Sequence, residues 1–387
     1  MAEFITFFII IFAGLLFSEF FNRLHLPWVT ALILSGIVFG TEGFNLIQSN
    51  EVTDFFSQIG LVFLMFMAGL AINFSTFQRV KREVGIVSLI NGLAPLGMAL
   101  LIASWFNLGT TAGLLLAAAL VSSSIAVVLP SLEGRAILRR KAGQTILAST
   151  IVLDIVSVTF FSILIQQATD TQLPLLVLYV FLALALALLR IAVPRLESYL
   201  GRRDRQKFEQ ELQLIVGILL GTVVLFGLLG LHPAEAGFFA GLVLSDSVNS
   251  QVTRAKLHAI GYGIFIPVFF VMVGAEMQLE VFANNPTAVW LAAAVLIGSV
   301  TTKFFSGWLA GRLVKFTNRE SWLLGAATIP QLNVTLAIAA TGFAYGLINE
   351  ELLAAMIILT IGTTLVAPPL MNRLAAREEA EYVESAA

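Results

Sequence analysis

The sequence contains no cysteine and very little charge. Without cysteine, the chain can form no disulfide, no thiolate zinc site and no cysteine nucleophile. Only 12% of its 387 residues are charged, whereas a soluble domain carries about 25%. By contrast, 58% are hydrophobic, and the apolar runs of roughly 17–25 residues match the thickness of a bilayer core. These features predict an all-α, polytopic membrane protein.

The motifs of common enzyme classes are also missing. There is no GxSxG, no HExxH and no phosphate-binding P-loop, and a single acid in mid-membrane is not an aspartyl dyad. The three histidines, His25, His232 and His258, lie at loop edges and form no metal-ligand cluster. We therefore predict a protein that is not an enzyme, with no cofactor, no structural metal and no nucleic-acid partner.

Apolar runs separated by polar or Gly/Pro breaks predict thirteen transmembrane helices. The run FITFFIIIFAGLLF has no basic leader and no small-residue cleavage site, so we expect a retained helix rather than a signal peptide. The thirteen helices are predicted near 3–22, 27–40, 54–73, 84–106, 110–131, 141–165, 174–196, 207–230, 234–246, 262–278, 286–312, 320–345 and 349–372.

The basic residues give an independent check on this number of helices. Of the 22 Lys and Arg residues, 20 lie in alternate connections or in the C-terminal tail, and the six intervening connections contain none. The positive-inside rule makes the basic side cytoplasmic. We expect a multi-pass protein of the cell (inner) membrane with its N-terminus outside and its C-terminus in the cytoplasm. The two exceptions are Arg190 and Lys303.

Two predicted helices carry breaks at similar depth. The fifth reads LVSSSIAVVLP, with Pro130 behind three serines, and the twelfth contains Pro330, Gln331 and Asn333 near its middle. If the seventh helix is a linker, these are the fifth helices of two six-helix sets that are inverted relative to one another. Inverted repeats with broken helices that cross at the midplane are typical of secondary transporters. The alternative is two ordinary proline kinks, but the matching depth favours broken helices.

One acid and one lysine lie at this depth, namely Asp154 in the sixth helix and Lys303 in the eleventh. A charged side chain at a helix centre costs roughly 2.5–3.5 kcal/mol. One explanation is a structural ion pair between the two, although such pairs are weak stabilisers because desolvation opposes them. The other is an ion or proton site, which intramembrane acids usually form. We favour the second explanation, in which Asp154 holds either a proton or a dehydrated cation.

Oxygen-bearing side chains near the breaks are candidate cation ligands. Thr150 lies four residues before Asp154 on the same helical face. Glu276, near the end of the tenth helix, either lines an outer mouth or is simply solvated. The candidate ligands are Ser122, Ser123, Ser124, Thr150 and Asn333.

Motifs along the whole chain resemble one transporter family. They are RLHLPWVTALILSGIVFG, IGLVFLMFMAGLAINFSTFQRVKR, SSSIAVVLPSLEGR, GQTILASTIVLDIVSV, FFVMVGAEMQL and KFFSG. In order and spacing they resemble the second monovalent cation:proton antiporter family, which includes sodium/proton antiporters and Kef-type potassium/proton systems. The resemblance implies alternating access by a homodimer in the lipid bilayer, with a monovalent cation and protons as the transported partners.

The resemblance also assigns roles to individual residues. It implies that Asp154 is the cation-binding acid and that Leu153 replaces a companion acid, which pairs with the membrane lysine in electrogenic members. Gln331 and Asn333 stand where many members carry an arginine and an acid. With one acid at the site, we expect electroneutral exchange of one proton for one cation, with Lys303 as a fixed, charge-balancing group.

The predicted domains follow from the same resemblance. A transmembrane antiporter domain spans 1–373, and a cytoplasmic tail spans 374–387. Within the domain we expect a scaffold (1–80 and 207–280), a linker helix (174–200) and a mobile core (84–165 and 286–372). Sodium, potassium and lithium all remain compatible with the site. The alternatives are a proton-coupled carrier of a small organic anion, a cation-conducting channel and a membrane sensor without transport.

Overall fold

The structure is a computed structural model that describes most of the chain. It covers residues 2–386 apart from 24–27, 42, 71–79, 133–136, 138–139, 169–206, 229–232, 246–247, 249–250, 278–281 and 283–284. The predicted linker helix at 174–200 therefore lies outside the described residues.

Within these ranges the regular structure is entirely helical, and nine helical spans are long and apolar enough to cross a membrane. Two shorter apolar helices, α2 and α5, accompany them. The helices are α1 (Ala2–Arg23), α2 (Trp28–Phe39), α3 (Glu51–Leu70), α4 (Lys81–Trp105), α5 (Thr110–Val121), α6 (Ile125–Leu132), α7 (Lys141–Ala168), α8 (Lys207–Leu228), α9 (Pro233–Leu244), α10 (Gln251–Ile260), α11 (Ile266–Ala275), α12 (Pro286–Leu313), α13 (Asn318–Thr328), α14 (Asn333–Ala344) and α15 (Glu350–Ala386).

The main differences from the predicted spans are at helix ends. The span predicted at 262–278 begins earlier, at Gln251, and continues from α10 to α11 through a π-helical turn, Gly261–Phe265. Hydropathy misses its first two turns because they contain polar side chains such as Arg254 and Lys256. The last helix continues to Ala386, since the tail is rich in Ala and Glu, which are strong helix formers.

Two of the predicted spans are interrupted. The first interruption, residues 122–124, separates α5 from α6, and the second interruption, residues 329–332, separates α13 from α14. At the first, the backbone of Ser122 is extended (φ −60°, ψ 157°). Each interruption leaves helix-terminal backbone groups without partners in their own helix.

The helices form two compact units. Unit 1 comprises Met1–Asn73 and Ile165–Glu276, and unit 2 comprises Phe74–Leu164 and Met277–Ala387. In unit 1, α2 packs against α11 and α3 packs against α9. In unit 2, α12 packs against α4, α13 and α15, while α5 packs against α4 and α14.

Glycines allow two pairs of backbones in unit 1 to come into contact. Where α2 crosses α11, a Cβ on Gly36 would overlap the carbonyl oxygen of Val271, and one on Gly274 would overlap that of Ile33. Glycine is required here because no other residue leaves room for the opposing backbone.

The crossing of α3 and α9 repeats this arrangement. A Cβ on Gly69 would overlap the carbonyl oxygen of Phe238, and one on Gly241 would overlap that of Phe66. In both crossings, the residue whose carbonyl oxygen contacts the glycine of the opposing helix lies three positions before the glycine of its own helix. Unit 1 thus contains the same contact twice.

We expect Gly241→Ala to destabilise unit 1 by about 1–3 kcal/mol, the usual cost of overpacking. The added methyl would overlap the Phe66 carbonyl oxygen and lie 2.9 Å from Leu70 N, so the two helices must separate. Thermal unfolding in detergent, followed by fluorescence, measures the loss.

The control is Gly221→Ala on α8, where a Cβ meets nothing within 4 Å. Because alanine has the higher helix propensity, this variant should melt no lower than the parent protein. Equal melting temperatures for Gly241→Ala and Gly221→Ala would contradict the close packing of α3 against α9.

Candidate functional site

The first interruption is stabilised by side-chain donors from other parts of unit 2. When α5 stops at Val121, its last carbonyls lose their donors, and such groups cannot remain unsatisfied in a membrane interior. Each of the four receives a side-chain hydrogen bond from elsewhere in unit 2. The bonds are Ser157 Oγ to Ala118 O (2.6 Å), Thr335 Oγ1 to Ala119 O (3.3 Å), Gln331 Nε2 to Leu120 O (2.8 Å) and Lys303 Nζ to Val121 O (2.6 Å).

The freed N–H groups of the first interruption also have partners. Ser123 N donates to Asp154 Oδ1 at 3.2 Å, and Ser124 N donates to Pro330 O at 2.7 Å. The second of these bonds joins the two interruptions directly. Ser122 Oγ and Thr335 Oγ1 of α14 lie 3.0 Å apart, and both are within hydrogen-bonding distance of Ala119 O.

The second interruption is held in the same way by side-chain hydroxyls. Thr328 O, at the end of α13, accepts from Ser123 Oγ at 3.0 Å. Gln331 N donates to Thr363 Oγ1 on α15 at 3.2 Å. The two interruptions are therefore joined directly to one another, and the second is also joined to α15.

The first break lies at the three serines, and Pro130 is not part of it. Pro130, which was expected to take part in the break from close behind these serines, lies inside α6, six to eight residues after the interruption at 122–124. The reason is that Asp154 and Pro330 O take the N–H groups of Ser123 and Ser124, which would otherwise continue α5. Pro330 and Gln331, by contrast, lie within the second interruption as expected.

Asp154 lies on α7, is only 6% exposed, and is next to the first interruption. Among the described residues, the Ser123 N–H is the one hydrogen-bond donor to its carboxylate. A buried carboxylate normally accepts several hydrogen bonds. Asp154 is thus poorly solvated by the protein and has an oxygen available for another partner.

Three further buried oxygens at the interruptions have no hydrogen-bond donor among the described residues. They are Ser124 Oγ, Gln331 Oε1 and Asn333 Oδ1. Such groups are uncommon in native interiors and call for an explanation, such as a bound ion or water. Oxygen atoms of this kind are the ligands that hard cations prefer.

The other predicted ligands already use their hydroxyl hydrogens. Ser122 Oγ donates to Ala119 O, Ser123 Oγ donates to Thr328 O, and Thr150 Oγ1 donates back to Ile146 O in its own helix. Their lone pairs remain able to accept, so the structure leaves these three residues as candidates.

Lys303 is completely buried on α12 and does not pair directly with Asp154. Its ammonium donates to Val121 O (2.6 Å), Ser123 Oγ (2.9 Å) and Asn91 Oδ1 (3.4 Å). These three bonds use all the N–H groups of a charged lysine. The ammonium also lies at the C-terminal end of α5, where the helix dipole favours positive charge. The direct ion pair considered from the sequence is therefore not formed.

The sequence did not indicate the role of Asn91, a fully buried residue of α4. Its Nδ2 lies within hydrogen-bonding distance of Lys303 O, Ser306 Oγ and Thr328 Oγ1, at 2.9, 2.8 and 3.2 Å. A single amide in the middle of an apolar helix was the available signal, but its partners are more than 200 residues away in the chain.

Glu276 belongs to unit 1 and directly follows α11. Its backbone N–H donates to Met272 O at 2.9 Å, and its side chain is exposed. Its proposed role at an outer mouth remains a prediction.

Known proteins resemble the chain along nearly its whole length. "Probable Na(+)/H(+) antiporter 3" of Methanocaldococcus jannaschii is 27% identical over 378 residues, covering 95% of this chain and 96% of that protein. "Na(+)/H(+) antiporter" of Enterococcus hirae is 27% identical over 363 residues, covering 92% and 93%. "Na(+)/H(+)-K(+) antiporter GerN" of Bacillus cereus is 25% identical over 355 residues, covering 90% of each.

A solved structure shares the fold. The sodium proton antiporter MjNhaP1 from Methanocaldococcus jannaschii, at pH 8, matches with a TM-score of 0.71 and 18% identity, covering 97% of this chain and 99% of that one. Residues 7–376 match the family described as "Sodium/hydrogen exchanger, transmembrane". This multi-pass membrane protein therefore belongs to the sodium/hydrogen exchanger family of monovalent cation:proton antiporters.

Proposed function

We propose that the protein exchanges a monovalent cation, sodium or potassium, for protons, and that Asp154 is the site they share. The observation that carries this proposal is the state of Asp154, which is buried beside an interrupted helix with one hydrogen-bond donor. The relatives named as sodium/proton antiporters, and the one named for potassium as well, support this class of substrate.

The chemistry follows from the cost of a buried charge. A carboxylate with so few donors must be neutralised, either by a proton or by a cation, because an isolated buried charge is very unfavourable. Ser124 Oγ, Gln331 Oε1 and Asn333 Oδ1 would supply neutral oxygen ligands to the cation. The proton and the cation then cannot bind at the same time. Exchange is obligatory if the site can switch from one face of the membrane to the other only when a proton or a cation neutralises Asp154.

The stoichiometry in this proposal is one proton for one cation. Lys303 donates three hydrogen bonds, as a protonated amine does and a neutral amine cannot. We propose that it keeps its proton throughout the cycle as a fixed charge. Leu153, where electrogenic members of the family carry a second acid, is buried and adds no titrating group.

Recurring contacts support two inverted six-helix repeats joined by the linker at 174–200. In unit 1, Gly36 and Gly241 each make room for a backbone carbonyl of the opposing helix, and they lie 205 residues apart in the sequence. Gly69 and Gly274 do the same at the same separation. In unit 2 the two interruptions begin after Val121 and Thr328, which are 207 residues apart. A nearly constant offset in both units is what a duplicated topology of thirteen helices predicts.

Alternating access would use the two units differently. We propose that the core (84–165 and 286–372), which carries the site, moves, while the scaffold (1–80 and 207–280) forms a homodimer and stays fixed. The N-terminus would lie outside the cell membrane and the C-terminus in the cytoplasm, as the distribution of Lys and Arg predicts.

The alternative of an organic-anion carrier requires a cationic group that is free to bind substrate. Lys303 is the one cationic side chain buried in the described part of the chain, and its three donors are occupied. We therefore favour cation transport.

Asp154→Asn should abolish the collapse of an imposed pH gradient in proteoliposomes when sodium, potassium or lithium chloride is added. An amide cannot exchange a proton, so the signal of a pH-sensitive dye should fall to that of empty vesicles. Glu209→Gln, which removes an exposed carboxylate in the first turn of α8, is the control and should keep full activity. Parental activity in Asp154→Asn would contradict the assignment.

Competition at one site makes a second prediction. On the acidic side of the activity profile, the half-saturating cation concentration should rise roughly tenfold for each unit by which pH falls, because protons occupy the same carboxylate. Initial rates at a series of cation concentrations and pH values measure this. A half-saturating concentration that does not change with pH, with only the maximal rate falling, would indicate separate sites.

Electroneutral exchange should be insensitive to membrane voltage. An imposed potential of about 100 mV changes the free energy of moving one net charge by about 2.3 kcal/mol, so a cycle that moves net charge would respond strongly. We expect equal rates of sodium-driven proton movement at both polarities and at zero voltage. Strong voltage dependence would contradict the one-to-one stoichiometry, and a cation current without saturation would indicate a channel.

A further inference from the structure

Asp154 and Lys303 are the only charged side chains buried in the described part of the chain, yet they do not form a pair. Opposite charges attract strongly in surroundings of low dielectric constant. The ammonium lies instead among the neutral acceptors of Val121, Ser123 and Asn91. The residues that provide these acceptors therefore keep the two charges apart.

Asn91 differs from the other two acceptors because it contacts Lys303 at both ends. Its Oδ1 accepts from the ammonium at 3.4 Å, and its Nδ2 donates to the backbone carbonyl of Lys303 at 2.9 Å. The amide thus orients the lysine side chain relative to its own backbone on α12.

The same amide closes a ring of hydrogen bonds that reaches Asp154. Ser123 Oγ accepts from the ammonium and donates to Thr328 O, while Thr328 Oγ1 accepts from Asn91 Nδ2. Ser123 N then donates to the carboxylate of Asp154. The ring therefore places a neutral residue, Ser123, between the two charges.

We propose that Asn91 is a positioning residue that holds the Lys303 ammonium away from Asp154, so that the carboxylate stays available to protons and cations. The inference rests on the proposed function of Asp154. Without the Asn91 amide, the third N–H of Lys303 has no acceptor, and Asp154 is the only anionic group buried in the described part of unit 2. The ammonium then pairs with the carboxylate and competes with both transported ions.

This proposal differs from a purely structural role in what it changes. Asn91 also joins α4 to α12 and α13, so its loss lowers stability in either case. A structural role alone lowers the amount of folded protein and the maximal rate. Release of the ammonium changes the affinity of the site, because any ion that binds must displace a direct partner of the carboxylate.

The test is Asn91→Ala, assayed as full-length protein in proteoliposomes with sodium chloride and with potassium chloride. The half-saturating concentration of the transported cation should rise roughly tenfold, and the acidic limb of the pH profile should move to lower pH by about one unit, since a direct cationic partner stabilises the carboxylate against protonation.

If the alanine variant does not fold, Asn91→Ser replaces it in the same assays, because its short hydroxyl cannot contact both ends of Lys303.

Two variants separate affinity from stability. Asn91→Gln keeps both the acceptor and the donor of the amide without adding a charge, and it should raise the half-saturating concentration less than Asn91→Ala does. Ser306→Ala removes an acceptor of the Asn91 amide without touching the ammonium, so it should lower the melting temperature slightly and leave both the half-saturating concentration and the pH profile unchanged.

The proposal is overturned if Asn91→Ala or Asn91→Ser lowers only the maximal rate and the melting temperature, or if Asn91→Gln shows the same loss of affinity as Asn91→Ala. These results are distinguishable from failure of the proposed function. If Asp154→Asn is inactive while Asn91→Ala keeps its affinity and pH profile, only the role of Asn91 is wrong. If Asp154→Asn remains active, the site itself is wrong.

Discussion

The need to satisfy backbone groups inside the membrane governs the structure of unit 2. Interrupting α5 and α13 frees peptide groups that lipid cannot bind. Side chains of Ser157, Thr335, Gln331 and Lys303 each cap one carbonyl at the end of α5. Much of the polar content of this region therefore maintains the fold. Among the described residues, oxygens of Ser124, Gln331 and Asn333 have no hydrogen-bond partner and the carboxylate of Asp154 has one donor, and these are the oxygens that we propose bind an ion.

Lys303 shows how one residue can serve both the fold and the proposed chemistry. Its ammonium caps Val121 O at the negative end of the α5 dipole, so its charge is stabilised without a companion carboxylate. Leu153, which stands where the family resemblance implies a companion acid, is 1% exposed and packs near Gly92 beside Asn91. An apolar residue is tolerated there because the lysine is satisfied by neutral acceptors.

The two units use different means to hold their helices together. In unit 1, paired glycines bring backbones into contact at two equivalent crossings. In unit 2, hydrogen bonds between side chains and freed backbone groups connect the helices around the interruptions. The first arrangement depends on the close fit of two backbones, whereas the second gathers polar atoms around the residues that we propose bind an ion.

The sequence alone determined the membrane class and the approximate positions of the helices that the structure describes, and it identified the two charged residues that are buried, because hydropathy and the placement of Lys and Arg follow directly from transfer free energies. It also indicated both interruptions, although Pro130, which it associated with the first, lies inside α6 behind the serines. Only the tertiary structure decided that Ser123 separates Asp154 from Lys303, and that Asn91 and Gln331 belong to the network. These contacts join residues about 30 to more than 200 positions apart, and such pairings depend on how helices cross, which no local pattern specifies.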